Sequence, residues 1–387
     1  MYTYFADLHI HIGRTKTNKP VKITGAKSLT IENIFYEASE HKGMDIIGVI
    51  DCHVPEIIES LEKDIMKGKL TEQPNGGIRY NNTTLFLGSE IEIYDEHCQG
   101  PIHVLIYLPS LQTMKVFSKW FEKNVKNINL SSQRIYTKGK GLQEKVKELD
   151  GLFIPAHIFT PFKSLYGKGV HKSLTEVFDP TFIDAVELGL SSDTEMASRI
   201  KELNHYPFLT NSDAHSLQNI GREYQKLLLA EPTFTEFKKA LKNKDGRKIE
   251  ANYGLNPSLG KYYETFCDAC LKTISNFHES CPYCKGKKVI KGVKQRLAEL
   301  ADQPTNFKIR PPYIHQVPLP FLPGVGKKTL EKLKDHFGTE MNVLHHVTYK
   351  QLCEVVPNKI ASLIVKQREG KLTIKSGGGG IYGKVEI

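Results

Sequence analysis

The 387-residue chain carries seven cysteines, a single tryptophan and no run of eighteen apolar residues. Without such a run there is no candidate transmembrane helix. Seven cysteines are too few, and odd in number, for a disulfide scaffold. The opening MYTYFADLHIHI lacks the basic start and apolar core of a secretory signal. These absences point to the cell interior. The sequence also lacks an internal repeat of fixed long period and an even spread of charge. Residues 1–255 hold 32 Lys+Arg and 32 Asp+Glu, whereas residues 256–387 hold 21 and 11, so the whole net charge of +10 lies in the last third. A neutral large module joined to a basic smaller one predicts a polyanionic partner held by the C-terminal part.

What is present in residues 1–255 is an alternation. Seven short apolar runs recur: YTYFADL, MDIIGVI, TTLFLG, IHVLIYL, GLFIPA, DAVELGL and YPFLTN. Several are separated by amphipathic stretches, at 30–42, 109–125, 143–149 and 195–203. Strands alternating with helices predict an α/β sheet or barrel. Gly, Pro and Asn cluster at 252–260 as in a linker. The segment 311–323 has five prolines and is expected to be extended. The tail SGGGGIYGKVEI is too rich in glycine for a helix and is expected to be flexible unless docked.

Five of the apolar runs deliver metal-binding residue types at their C-terminal ends: Asp7-x-His9-x-His11, Asp51-x-His53, Glu90-x-Glu92, His157 and Asp213-x-His215. His103 begins its run, and an antiparallel strand would bring it to the same rim. In a barrel the strand ends converge on one face, where catalytic groups belong. Alternation puts both members of HxH or DxH on one side of a strand. Neutral imidazoles with carboxylates suit zinc, manganese or iron, and a shared carboxylate can bridge two ions. Such a pair lowers the pKa of bound water and neutralises phosphate oxygens, so phosphoester hydrolysis needs no nucleophilic side chain. Arg14 and Lys16, just after the HxH pair, are candidate phosphate contacts. Cys52 and Cys98 lie nearby without a thiolate partner and read as incidental.

The order DLHIH, DCH, GSEIE, IHV, PAH and SDAH resembles the PHP (polymerase and histidinol phosphatase) superfamily. The resemblance implies a distorted (β/α)7 PHP-type barrel with two to three divalent metals, zinc with manganese or magnesium as alternatives. It implies one ion at His9, His11, Glu90 and Asp213, the four residues assigned the catalytic role. It implies a second at Glu90, His103 and His157, and a third centred on His53 and His215. The further histidine usual at the third site is missing from the stretch IGRTKTNKP. Asp7 and Glu187 are placed to orient histidines rather than to bind metal.

In the last third, Cys267, Cys270, Cys281 and Cys284 form CxxC-x10-CxxC, two thiolate knuckles that complete a closed tetrahedral site for one structural zinc. Lys285, Lys287, Lys288, Lys291, Lys294 and Arg296 follow with no acid between them, a pattern that favours phosphate-backbone contact. Next, LPGVG leads into KKTLEKLK. A glycine turn at a helix N-terminus exposes N–H groups to a phosphate. It resembles the helix-hairpin-helix motif, with Gly324, Gly326, Lys327 and Lys328, beside Lys287 and Lys288, as DNA contacts. A degenerate second copy spans 355–361.

The expected organisation is a PHP-like metallophosphoesterase barrel at 1–255 and a four-cysteine zinc module at 256–290. A basic linker or helix follows at 291–312, a helix-hairpin-helix DNA-binding domain at 313–375 and a Gly-rich tail at 376–387. That order, over essentially the whole chain, resembles the endonuclease Q family. The resemblance implies a metal-dependent endonuclease that nicks DNA 5′ of uracil, hypoxanthine, xanthine and abasic sites. The expected partner is DNA with deaminated bases or abasic sites, with a replication sliding clamp as a further candidate, and the expected state is a cytoplasmic, nucleoid-associated monomer. Tyr136, Phe159, Phe162 and Tyr166 are candidate aromatics for stacking on an extruded base. The rival readings are a PHP-type 3′-5′ exonuclease and a phosphomonoesterase of the histidinol-phosphatase kind.

Overall fold

A computed structural model describes residues 1–275, 280–305, 308–375 and 383–385. The seven apolar runs become seven strands: β1 (Tyr2–Ile10), β2 (Ile46–Val49), β3 (Thr83–Ile93), β4 (Ile102–Leu108), β5 (Leu152–Pro155), β6 (Val186–Glu187) and β7 (Phe208–Leu209). They follow one another round a distorted barrel. β1, β2 and β3 are parallel neighbours, and β6 and β7 are parallel too. β4 runs antiparallel to both β3 and β5. The ring closes without regular ladders at two places. Asp184 donates its backbone N–H to Phe153 O at 3.0 Å, and Ile158 to Glu187 O at 2.9 Å. At the other seam Leu8 donates to the Asn211 side chain at 2.9 Å and Ala214 pairs with Ile10.

Three further strands extend the sheet beyond β1: β8 (Tyr224–Leu229), β9 (Lys248–Gly254) and β10 (Tyr313–His315). β10 lies within the proline-rich segment expected to be extended, so the chain beyond 312 begins as an edge strand of the barrel sheet. Prolines flank β10 and do not interrupt its short ladder. β4 is buried along its whole length, as a strand covered on both faces must be.

Local signals account for the helices. Thr30 and Ser110 cap Ile31–Tyr36 and Leu111–Glu122 with side-chain oxygens, and Pro55 opens Pro55–Met66 where its missing N–H costs nothing. The helix expected over 195–203 is broken into Thr194–Ala197 and a tight turn at Lys201–His205. The Ser198 hydroxyl donates to Thr194 O at 2.6 Å, offering the backbone a competing partner at the break.

The C-terminal elements pack back on the barrel. Helix Val293–Leu300 buries Val293, Leu297 and Leu300. Helices Lys327–Phe337, Glu340–His345, Tyr349–Val355 and Asn358–Arg368 form a unit docked beside β1 and β8. There Lys42 Nζ meets Glu340 Oε1 at 3.0 Å, both buried. The His345 ring stacks on Phe5 at 4.3 Å and accepts from Tyr224 Oη–H at 2.7 Å. Burial lowers the His345 imidazole to about 3, which keeps it neutral for that role. Of the glycine-rich tail, 383–385 are described. Gly383 donates to Leu259 O at 3.0 Å, and Lys384–Val385 pairs with Ile374–Lys375. Residues 376–382 and 386–387 lie outside the described residues.

Candidate metal centre

The rim of the barrel gathers the expected donors. His9, His11 and Glu90 offer ligand atoms within 4.8 Å of one another, and so do Glu90, His103 and His157. Glu90 is the shared member. Its Oε1 lies 2.9 Å from His103 Nδ1, 3.4 Å from His157 Nε2 and 3.5 Å from His9 Nε2. Asp213 Oδ1 is 3.4 Å from His9 Nε2 and 3.5 Å from His11 Nε2. His215 joins Asp213 and His11 in a third group. His103 reaches this rim because β4 is antiparallel, as its place at the head of a run requires.

The rings are held from behind. His9 Nδ1 is 3.0 Å from Glu187 Oε1, and His11 Nδ1 is 3.2 Å from Asp51 Oδ2. Each carboxylate fixes its imidazole with Nε2 turned inward. Glu187 also accepts the His157 backbone N–H at 2.8 Å and the Asn211 amide at 2.7 Å. Asp7 acts on backbone rather than rings, accepting from Gly221 N at 2.8 Å and Ser212 N at 3.1 Å. His157 and Asp213 both have positive φ, +29° and +47°, a strained backbone that over-determined surroundings maintain. Gly189 makes room for the first. A Cβ there would come within 2.9 Å of His157 Cβ, and its own φ is +81°.

Electrostatics match a cation site. Burial opposes ionisation of Glu90, yet His103 and Lys22 hold its carboxyl well below the usual range. Burial likewise opposes Asp213, but His9, His11 and His215 hold it well below normal. Burial would lower His9, and the Glu187 and Asp213 carboxylates raise it well above normal instead. The Nε2 atoms of His9, His11 and His103 are buried with no hydrogen-bond partner among the described residues. Buried imidazole nitrogens with no protein partner, facing clustered carboxylates, fit divalent cations.

Other expected residues lie elsewhere. His53 sits in none of these groups. Its Nδ1 is 2.7 Å from Ser89 Oγ and its Nε2 is 3.4 Å from Leu130 O. Lys16 is paired with Glu32 at 2.7 Å in the solvent. Neither it nor Arg14 lines the cavity of about 460 Å³ above the donors. Lys22, Lys163, Phe162 and Tyr262 do line it, with Glu90, His103, His157, Asp213 and His215. Phe162 and Tyr262 meet edge to face at 5.4 Å. Phe159 and Tyr166 are instead buried and stacked on each other at 5.5 Å, which makes them core. Tyr136 is exposed beside Arg134.

Sequence reasoning missed Lys22, Tyr262 and the part played by Asp51. For Asp51 the DxH pattern was a usable signal. For Lys22 nothing local distinguished one lysine of a basic loop.

The four cysteines converge, with their sulfurs within 4.8 Å of one another. The Cys267–Cys284 and Cys270–Cys281 separations of 3.6 and 3.7 Å leave them unbonded thiols that fit a tetrahedral zinc. Of the basic run, Lys287 and Lys288 are exposed. Lys294 pairs with Glu264, Lys291 pairs with Glu299, and Arg296 donates to the carbonyls of Tyr166, Val170 and His171. That guanidinium fastens its helix to the barrel, so the phosphate role expected of it is not supported. Gly324 has φ +87°, and a Cβ on Gly326 would meet open space ahead of helix Lys327–Phe337. Lys327 and Lys328 are exposed at that point.

Residues 192–245 match a family described as PHP-associated. An uncharacterized protein of Bacillus subtilis, YqxK, is 61% identical over 386 residues and is covered completely in both directions. An uncharacterized protein of Methanocaldococcus jannaschii, MJ0043, is 39% identical over 257 residues, 59% of this chain and 31% of its own. The lesion-specific endonuclease PfuEndoQ from Pyrococcus furiosus superposes with a TM-score of 0.85 at 32% identity, over 100% of this chain and 96% of that one. A structure of endonuclease Q with a 27-mer duplex carrying an abasic lesion at the active site gives the same TM-score and identity, with 97% of that chain covered. With that likeness running from end to end, the chain belongs to the endonuclease Q family, metal-dependent endonucleases of the PHP superfamily.

Proposed function

We propose that the chain is a DNA repair endonuclease that nicks the phosphodiester on the 5′ side of uracil, hypoxanthine, xanthine and abasic sites. The observation that carries this reading is the end-to-end likeness to an endonuclease Q holding an abasic duplex at its active site. The cavity supports it. At about 460 Å³ it is of a size that takes small ligands, and the candidate donors form its floor. A damaged nucleotide must leave the stack to reach them, and weak or missing pairing lowers that cost. Phe162 and Tyr262 stand at the mouth, with Phe162 46% exposed, and offer faces on which a base can stack.

In this reading His9, His11, Glu90 and Asp213 hold one divalent ion, and Glu90, His103 and His157 a second. Bound there, such ions supply a hydroxide near neutral pH and neutralise the phosphate. Glu187 and Asp51 fix the tautomers of His9 and His11. Burial of His9, His11 and Glu90 lowers the local dielectric, which strengthens each charge that faces the phosphate. Cys267, Cys270, Cys281 and Cys284 hold one structural zinc. Lys287, Lys288 and the Gly324–Lys328 turn grip the duplex backbone, which supplies affinity without sequence preference.

A covalently closed plasmid tests the reading. Plasmid treated to deaminate cytosine should become an open circle, while untreated plasmid stays closed. Relaxation of both to the same degree would contradict lesion selection. Activity only on a linearised plasmid would favour the exonuclease.

A further inference from the structure

Three donor groups meet at the rim, but they do not contain enough donors for three ions. His11 belongs to two of them, with His9 and Glu90 and with Asp213 and His215. Its Nδ1 is already engaged, 3.2 Å from Asp51 Oδ2 and 3.1 Å from Ser131 Oγ. That leaves Nε2, and one imidazole nitrogen donates its lone pair to one ion. Once His11 serves the Glu90 group, the third group retains Asp213 and His215. His53 does not complete it, since both of its ring nitrogens face other partners.

A different cation lines the cavity that Asp213 and His215 face. Lys22 reaches in from the loop after β1, its side chain 15% exposed. Its Nζ lies 3.2 Å from Glu90 Oε2 and 2.6 Å from Ser132 Oγ, and Ser132 itself donates to Glu90 Oε2. It lines the same cavity as Asp213 and His215. An ammonium has three donors, and these two contacts leave one directed elsewhere. Ordering so long a side chain against a buried carboxylate is costly unless the charge has a use.

We infer that Lys22 is the third cation of this centre, a fixed ammonium that replaces a third divalent ion and presents its remaining N–H to an oxygen of the scissile phosphate. The assignment rests on the endonuclease reading for the identity of the phosphate, and on the donor count alone for the number of ions. Lys22 adds one positive charge to the cavity floor without needing a ligand set. It holds the outer oxygen of Glu90 in place, which orients the carboxylate shared by the two histidine groups. No proton transfer by Lys22 is required.

The experiment has two parts, and the first needs no DNA. Full-length protein is loaded with zinc, desalted and analysed for metal by mass spectrometry. About three ions per chain are expected, two at the rim and one in the cysteine module. About four would overturn the inference, whatever the substrate proves to be. In the second part Lys22→Met and Lys22→Arg are compared with the parent on a duplex containing one abasic site. Lys22→Met should keep the parental metal content and lose about 100-fold in kcat, the scale of one transition-state donor, with KM changed by less than about threefold. Lys22→Arg should recover part of that loss, since the charge remains. A Lys22→Met variant that keeps full kcat would overturn the inference. One that loses rim metal would make Lys22 a support of the donors and not a cation surrogate. Failure of the parent to cut DNA would defeat the endonuclease reading and leave the metal count standing.

Discussion

Glu92 on β3 stands directly opposite His103 on β4. This antiparallel pairing carries a histidine from the start of one strand to the rim where its neighbour ends. His103 Nδ1 then sits 2.9 Å from Glu90 Oε1, two residues back along β3. Its Nε2 is 3.7 Å from Glu92 Oε2, so one ring is bracketed by both carboxylates of GSEIE.

Glu90 is therefore the residue whose loss should cost most. Glu90→Gln keeps the shape and removes the charge shared by two donor groups. Both rim ions should be lost while the cysteine-bound zinc remains, and nicking should fall by at least about a thousandfold. Elemental analysis beside a nicking assay measures both. Retention of the full metal content would remove Glu90 from its central place.

His53 should behave differently. With its ring held by Ser89 and Leu130, His53→Gln is expected to leave metal content unchanged and activity within about fivefold, with a loss of stability of about 1–3 kcal/mol for a disturbed buried hydrogen bond. Loss of a rim ion from this variant would restore His53 as a ligand.

The seven strands and the clustering of most candidate donors were legible in the sequence because the strand ends converge and the residue types there are chemically narrow. Five separate runs ending in His, Asp or Glu are hard to reconcile with chance. His53 falls in none of the donor groups, since a DxH pair on a strand says which side both residues face and not which ring nitrogens stay free. Asp51, its neighbour in that motif, turned out to steady His11 instead. Lys22 was illegible for another reason. Its loop folds back through contacts with residues more than sixty positions away, Glu90 and Ser132, and no local pattern encodes those. Arg296 was misread because a basic run looks the same whether it faces solvent or caps backbone carbonyls.

The helical unit should bind the DNA backbone rather than its bases. Replacing Lys327 and Lys328 together by alanine should weaken binding equally for damaged and intact duplex. It should lower the slope of log affinity against log salt by about 2, close to 0.9 for each lost phosphate contact. kcat at saturating DNA should not change. Fluorescence anisotropy over a range of salt reads the slope, and an unaltered slope would place the phosphate contacts elsewhere.

Glu223 gives a pH dependence that does not involve the donors. It is fully buried, Oε1 accepts the Leu255 N–H at 2.8 Å, and Oε2 has no partner among the described residues. Burial raises its carboxyl from 4.5 to about 8. The folded chain thus holds this proton more tightly than the unfolded chain. Its contribution to stability is complete below about pH 4.5 and is lost as pH rises toward 8. Glu223→Gln, neutral at every pH, should be more stable than the parent at pH 8.5 by on the order of 4 kcal/mol and by less than about 1 kcal/mol at pH 5. Denaturant unfolding at the two pH values measures it. An equal difference at both would exclude Glu223 as the titrating group.

Mapping a cut shows whether this rim cleaves DNA beside a lesion. An end-labelled duplex with one deoxyuridine, deoxyinosine or abasic site is incubated with magnesium, manganese or zinc, alongside an undamaged control, and resolved on a sequencing gel. One nick immediately 5′ of the lesion is expected, absent from the control and abolished by Asp213→Asn. A ladder of shortened strands from both duplexes, or an undiminished nick with Asp213→Asn, would contradict it.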